Sequence, residues 1–149
     1  MDNMAEDALR ERYGRRHLIR FGRSGQYQGG IDGLDQQDPT LVWQTTLQAA
    51  KVFEKIQDDI ATLDNDGEFH PEVFVAVLGV PRDANIQREI KRVSIERQIN
   101  GKCRIELLFW EDVREILIGN PVLLAKHFSG FGVDARASEL TELEIERRQ

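Results

Sequence analysis

The 149-residue chain contains one cysteine, Cys103, so an internal disulfide framework is excluded. At the edge of an apolar segment, that thiol reads as a small buried side chain. No apolar run approaches the roughly 18 residues a membrane helix needs. The opening stretch MDNMAEDALRERYGRRH carries charges where a secretory signal would place its apolar core. The expectation is a cytoplasmic protein with no membrane partner. The three histidines, His17, His70 and His127, have neither paired spacing nor a neighbouring cysteine, which argues against a zinc site. Phosphate-loop, nucleophile-elbow and dinucleotide patterns are missing, as are internal repeats, and the four prolines are scattered rather than gathered into a linker.

What is present suits one globular domain over 1–149, with 40% hydrophobic and 31% charged residues. The net charge of −6 argues against a simple nucleic-acid coat, yet the charge is unevenly placed. Between Arg10 and Arg23 stand six arginines (Arg10, Arg12, Arg15, Arg16, Arg20, Arg23) against one acid, Glu11. Arginines gathered on one face hold phosphates in bidentate fashion; dispersed, they are a solvated basic helix. The far end, 139–149, carries Glu139, Glu142, Glu144 and Glu146 before Arg147 and Arg148.

Apolar spacing predicts a basic N-terminal helix over 4–17, with Ala5, Leu9 and Tyr13 on one side. A glycine-rich β region follows, then a strand over 40–47 rich in β-branched and aromatic residues. A helix over 48–64 faces inward with Ala49, Val52, Phe53, Ile56, Ile60 and Leu63. The nearly continuous apolar run 73–80 predicts a strand covered on both faces. Next come a helix over 84–99 with Ile86, Ile90, Val93 and Ile99 inward, a strand over 104–110, short helices over 111–118 and 121–128, and a charged C-terminal helix over 138–149. Strands alternating with crossover helices predict an α/β fold: a mixed central sheet with helices on both faces.

The chemistry is concentrated in FGRSGQYQGGID, which ends at Asp32, followed twelve residues later by Gln44. Hydrolysis of a phosphodiester needs a divalent metal held by oxygen ligands, an attacking water, and positive charge near the developing negative charge. An acid at the end of one strand and an oxygen ligand on the next can meet at one metal, and the interval from Asp32 to Gln44 is of hairpin size. The residues alone leave two plainer readings open: Asp32 as a turn-stabilising side chain among glycines, and Gln44 as an ordinary polar residue of the core.

The segment Gly22-Arg23-Ser24-Gly25-Gln26-Tyr27-Gln28-Gly29-Gly30-Ile31-Asp32, with Trp43-Gln44-Thr45-Thr46, resembles the core of the Mrr-like restriction endonucleases within the PD-(D/E)xK nuclease superfamily. Their lead has the form G-R-x-G-Q-x-Q-x-G-x-D, before a strand bearing (E/Q)-x-K. The resemblance covers about 20–128 and implies a restriction-endonuclease-like sheet, a DNA substrate, bound magnesium or manganese, and a restriction or defence setting. It makes Asp32 the principal metal ligand, Gln44 the second, and Gln26 and Gln28 substrate-side residues, with Arg15, Arg16 and Arg23 as phosphate contacts. Thr46 stands where the family has lysine, and a neutral hydroxyl does not supply an ammonium. Lys51, or Lys55 one turn further on, is the available substitute. The alternative is a catalytically silent nuclease-fold module that binds nucleic acid or a partner protein, with oligomer or partner contacts through the C-terminal helix.

Overall fold

The structure is a computed structural model and describes residues 2–22 and 31–128. Helix α1 (Asp2–Tyr13) is followed by β1 (Leu18–Arg20), β2 (Gly33–Asp35) and β3 (Leu41–Thr46). Then α2 (Val52–Asp66), β4 (Val73–Leu78), α3 (Ala84–Ile99) and β5 (Arg104–Leu108) alternate, and α4 (Trp110–Ile118) and α5 (Pro121–His127) complete the order. The sheet runs β1-β2-β3-β4-β5. Strands β1, β2 and β3 pair antiparallel, whereas β3, β4 and β5 pair parallel, so β3 is the seam between the two halves.

This is the expected α/β architecture, a mixed sheet covered on both faces. Alternation along β3 and β4 sends Val42, Phe74 and Ala76 to one face, where Val52, Ile56, Ile60 and Leu63 of α2 and Ile90 of α3 meet them. Leu41, Trp43, Val73, Val75 and Val77 go to the other, under Ala5, Ala8 and Leu9 of α1 and Val113 and Leu117 of α4. All six residues of β4 are buried, which explains its unbroken apolar run. Among the described residues no helix is long and apolar enough to cross a membrane.

Several boundaries differ from the periodicity. The first helix stops at Tyr13 rather than 17, because Gly14 turns left-handed at φ 63. The second starts at Val52 instead of 48. Leu47 to Lys51 form a loop, and Ala49 is exposed rather than packed. Ile99, expected inside, is 79% exposed at the end of α3. The segment 138–149, expected to be helical, lies outside the described residues. Elsewhere the punctuation acts as its chemistry dictates. Asp83 caps α3 by accepting from the Asn85 and Ile86 N–H groups at 2.8 and 3.1 Å, and Asn120 caps α5 by accepting from Val122 and Leu123.

The start of the open β5 edge is covered by side chains of α3. Ser94 Oγ accepts from the Ile105 N–H at 2.9 Å, and Arg97 Nε donates to the Cys103 carbonyl at 2.9 Å while its two terminal nitrogens grip Asp64 at 2.8 and 3.0 Å. Backbone groups so occupied are withdrawn from pairing with a stray strand. Cys103 itself is buried beneath Arg97, as its setting in the sequence implied.

Gly33 is required by its partner. It pairs with Trp43, whose indole lies across it: a Cβ at Gly33 would come within 2.3 Å of the ring and 2.5 Å of the Ile19 carbonyl oxygen. The indole thus covers the gap that glycine leaves in the hairpin. Gly33→Ala is expected to lower stability by about 1–3 kcal/mol through overpacking, with a red-shifted Trp43 emission; an unchanged urea midpoint would refute this account.

Candidate functional site

Asp32 lies one residue before Gly33 and so enters the hairpin level with the polar half of β3. Its backbone N–H donates to the Trp43 carbonyl at 2.8 Å, its own carbonyl accepts from the Phe21 N–H at 2.7 Å, and its carboxylate Oδ2 accepts from the Thr45 N–H at 2.7 Å. The two bonds to β3 fall on either side of Gln44 and hold Asp32 beside it. Gln44 pairs with Ala76, between the Val42–Phe74 and Thr46–Leu78 pairs, and therefore shares the α2 side of the sheet with Val42 and Thr46. The structure thus brings Asp32, Gln44 and Thr46 to one stretch of the hairpin.

Gln44 Oε1 is buried and has no hydrogen-bond partner, one of two such side-chain oxygens among the described residues; the other is Thr45 Oγ1, on the opposite face. An amide oxygen removed from water without a donor costs on the order of 1–3 kcal/mol, so Gln44 Oε1 is a place where a hydrogen-bond donor or a cation would be taken up. A carboxylate and an amide oxygen are the donor types a hard divalent cation takes, and magnesium commonly retains several waters alongside one or two protein oxygens. Among the described residues no group of three or more His, Cys, Asp and Glu converges on a possible metal. Asp32 and Gln44 are thus two oxygen donors side by side, which could hold a magnesium or manganese only with water completing its shell.

Thr46 uses its hydroxyl locally. Oγ1 accepts from the Gln48 N–H at 3.3 Å, and its carbonyl accepts from the Gly79 N–H at 2.8 Å, which starts the turn toward α2. Lys51 ends that loop as the residue before α2, exposed, at φ 56 and ψ 38, the one non-glycine residue with positive φ among those described. Lys55 is committed elsewhere, its Nζ donating to Asp59 Oδ1 at 2.6 Å. Burial raises the Asp59 carboxyl above its usual value, and Lys55 offsets part of that.

Three of the arginines line one cleft, but two of these three are engaged by acids. Arg15 NH1 bridges Asp35 at 3.1 Å and Asp38 at 2.8 Å, and NH2 reaches Thr40 Oγ1, which ties the end of α1 to the β2–β3 turn. That turn is at the start of β3, about 13 Å along the strand from Gln44 at roughly 3.3 Å per residue. Arg15 is therefore not brought to Asp32. Arg16 is exposed in a cleft of about 640 Å³ between α1 and α5, with Arg10 and Arg15. Arg10 is held by Glu6, Asp7 and the Leu18 carbonyl, and Arg20 by Glu6 and Asn3. Arg23, Gln26 and Gln28 lie outside the described residues.

A charged cluster far apart in sequence was not foreseen. Asp7, buried on α1, accepts from Lys126 Nζ at 2.7 Å and pairs with His127 Nε2 at 2.6 Å, both from α5. No local pattern links positions some 120 residues apart; only the apolar helix around Asp7 hinted that this acid would be covered.

No family model, curated protein or solved structure matches the chain.

Two outcomes test these placements. Burial acts to raise the Asp7 carboxyl, but the hydrogen bonds and charges of Lys126 and His127 outweigh it and hold it below the usual 3.8. A depressed folded-state pKa contributes stability that is present above the unfolded value and lost as pH falls through the folded one. Asp7→Asn should therefore cost roughly 1–3 kcal/mol near neutral pH, and its gap from the parent protein should narrow once the pH falls below 3.8. At the hairpin, Asp32→Ala strands the Thr45 N–H and should lower stability by about 1–2 kcal/mol. Asp32→Asn keeps an acceptor there and should stay within about 1 kcal/mol of the parent; equal losses in the two variants would mean that the Thr45 contact does not support the fold.

Proposed function

We propose that this chain is a divalent-metal-dependent phosphodiesterase acting on DNA, of the restriction-endonuclease-like kind its sequence resembles. The observation that carries the reading is the buried, unpartnered Gln44 Oε1 beside the carboxylate of Asp32. An antiparallel hairpin joined through β3 to parallel strands is the setting the resemblance implies for those two residues, and it supports the reading further.

Each residue has a distinct task. Asp32, fixed by Thr45 and Trp43, would contribute carboxylate oxygen to the cation. Gln44 contributes the neutral oxygen. Magnesium or manganese, when bound there, would polarise a phosphoryl oxygen and lower the pKa of a coordinated water. Lys51 would supply the ammonium that Thr46 lacks. A left-handed backbone at a non-glycine residue is costly and persists where surroundings or function demand it, and here it stands at the end of the loop leaving Thr46. Phosphate contacts fall to Arg16 and Arg23 rather than to the neutralised Arg15.

A second reading has its own observation. The Thr46 hydroxyl is occupied as a turn acceptor, as in a scaffold that keeps the nuclease shape and binds nucleic acid or a partner protein without cutting.

The deciding experiment is calorimetric titration with magnesium and manganese, followed by cleavage of supercoiled DNA. Millimolar binding and metal-dependent nicking are expected. Asp32→Asn should abolish both, and Lys51→Ala should reduce nicking by about 100-fold or more without changing metal affinity, the scale of one lost electrostatic stabiliser. Absence of metal binding in the folded parent protein would overturn the enzymatic reading. Cleavage appearing only in Thr46→Lys would establish the silent-scaffold reading instead.

A further inference from the structure

The loop between β3 and α2 leaves the sheet at the carboxyl ends of its parallel strands, where open α/β sheets take their ligands. All five of its residues, Leu47 to Lys51, are exposed. Leu47, the first, is 67% exposed. A single leucine on a surface needs no explanation by itself, but this one is braced. A Cβ at Gly79 would come within 2.6 Å of Leu47 Cδ2 and 3.4 Å of its Cα, so the leucine rests on the bare backbone that follows β4. The Gly79 N–H in turn donates to the Thr46 carbonyl at 2.8 Å and fixes the chain just before Leu47. Glycine loses more backbone freedom on folding than any other residue, and here it stands where it lets an apolar side chain be held in water rather than folded away.

Leu47 comes three residues after Gln44 and directly after Thr46. At roughly 3.3 Å per residue it stands within about 10 Å of Gln44, about three base steps at 3.4 Å each. An apolar side chain that enters between adjacent bases unstacks them and kinks the duplex. The surrounding chain suits that approach: Ala49 and Ala50 are small, Lys51 is the only charged residue of the loop, and no acid stands between Asp38 and Glu54 to repel phosphates. On the reading of Asp32 and Gln44 as a DNA-cleaving site, we infer that Leu47 is a wedge driven into the substrate beside the bond to be cut, and that the preferred substrate is duplex DNA at a step that unstacks readily. Such a step is a flexible pyrimidine–purine step or one that is already mismatched. Opening the duplex then falls to Leu47, and cutting it to the groups around Asp32.

The test compares the full chain with its Leu47→Ser and Leu47→Met variants, in magnesium and in manganese, on two duplexes of one sequence, the first fully paired and the second with a central unpaired bubble. Leu47→Ser should nick the paired duplex about tenfold more slowly than the parent, since the cost of unstacking is no longer offset. On the bubble it should nick at close to the parent's rate, because the bases are already apart. Leu47→Met keeps a long apolar side chain and should match the parent on both. Equal losses for Leu47→Ser on the two duplexes, or no loss on either, overturn the wedge and leave the reading of Asp32 and Gln44 standing. A parent chain that binds neither metal and cuts neither duplex overturns that reading and the wedge with it. Leu47 is exposed, so neither replacement is expected to disturb the fold.

Discussion

Strand β3 pairs antiparallel on one side and parallel on the other, and its six residues change character halfway along. Leu41, Val42 and Trp43 are buried on the two faces of the sheet, while Gln44, Thr45 and Thr46 are only half-buried. Both halves are needed. The apolar half anchors the seam between hairpin and parallel pair and positions the indole over Gly33. The polar half then emerges beside Asp32, on a backbone already fixed by its pairing with β2 and β4. A polar oxygen in such a place is not free to relax toward water, which is why the unpartnered Gln44 Oε1 carries weight that a surface amide would not.

The electrostatics of the rest of the molecule are turned inward. Arg15 closes the β2–β3 turn, Arg10 and Arg20 fasten α1 to β1, Arg97 covers the start of the β5 edge, and Lys126 and His127 secure α5 to Asp7. In sequence, the arginines of the first helix and the strand after it form a block of one sign that reads as a polyanion surface. In space, the acids that answer them come from Glu6, Asp35 and Asp38, close in the fold though outside the block. Charge runs read from sequence overstate free charge because the partners arrive through tertiary contact.

That difference also marks how far the sequence was legible. The strands and the helices over 84–99 and 121–128 could be read because burial on one or two faces imprints a period, and because Asp83 and Asn120 cap in a way local chemistry dictates. The start of α2 was not, since Ala49 and Ala50 continue an apolar pattern that a left-handed Lys51 interrupts, and no residue type announces that conformation. Ile99 was misplaced for a related reason. Its spacing continues the inward row, but the helix ends as the chain turns toward β5 and leaves it outside. Asp32 and Gln44 were singled out by their types and interval; their juxtaposition needed the register that only strand pairing supplies.

Thr46 and Lys51 are best understood together. The threonine hydroxyl accepts from Gln48 and begins the loop; Lys51, in its left-handed conformation, ends it, and its carbonyl accepts from the Lys55 N–H to start α2. A lysine at position 46 could not make the first of these bonds, because its side chain has donors and no acceptor. The loop between β3 and α2 therefore opens on a hydroxyl acceptor and closes on a left-handed residue, and Thr46→Lys would remove the first of these while leaving the second in place.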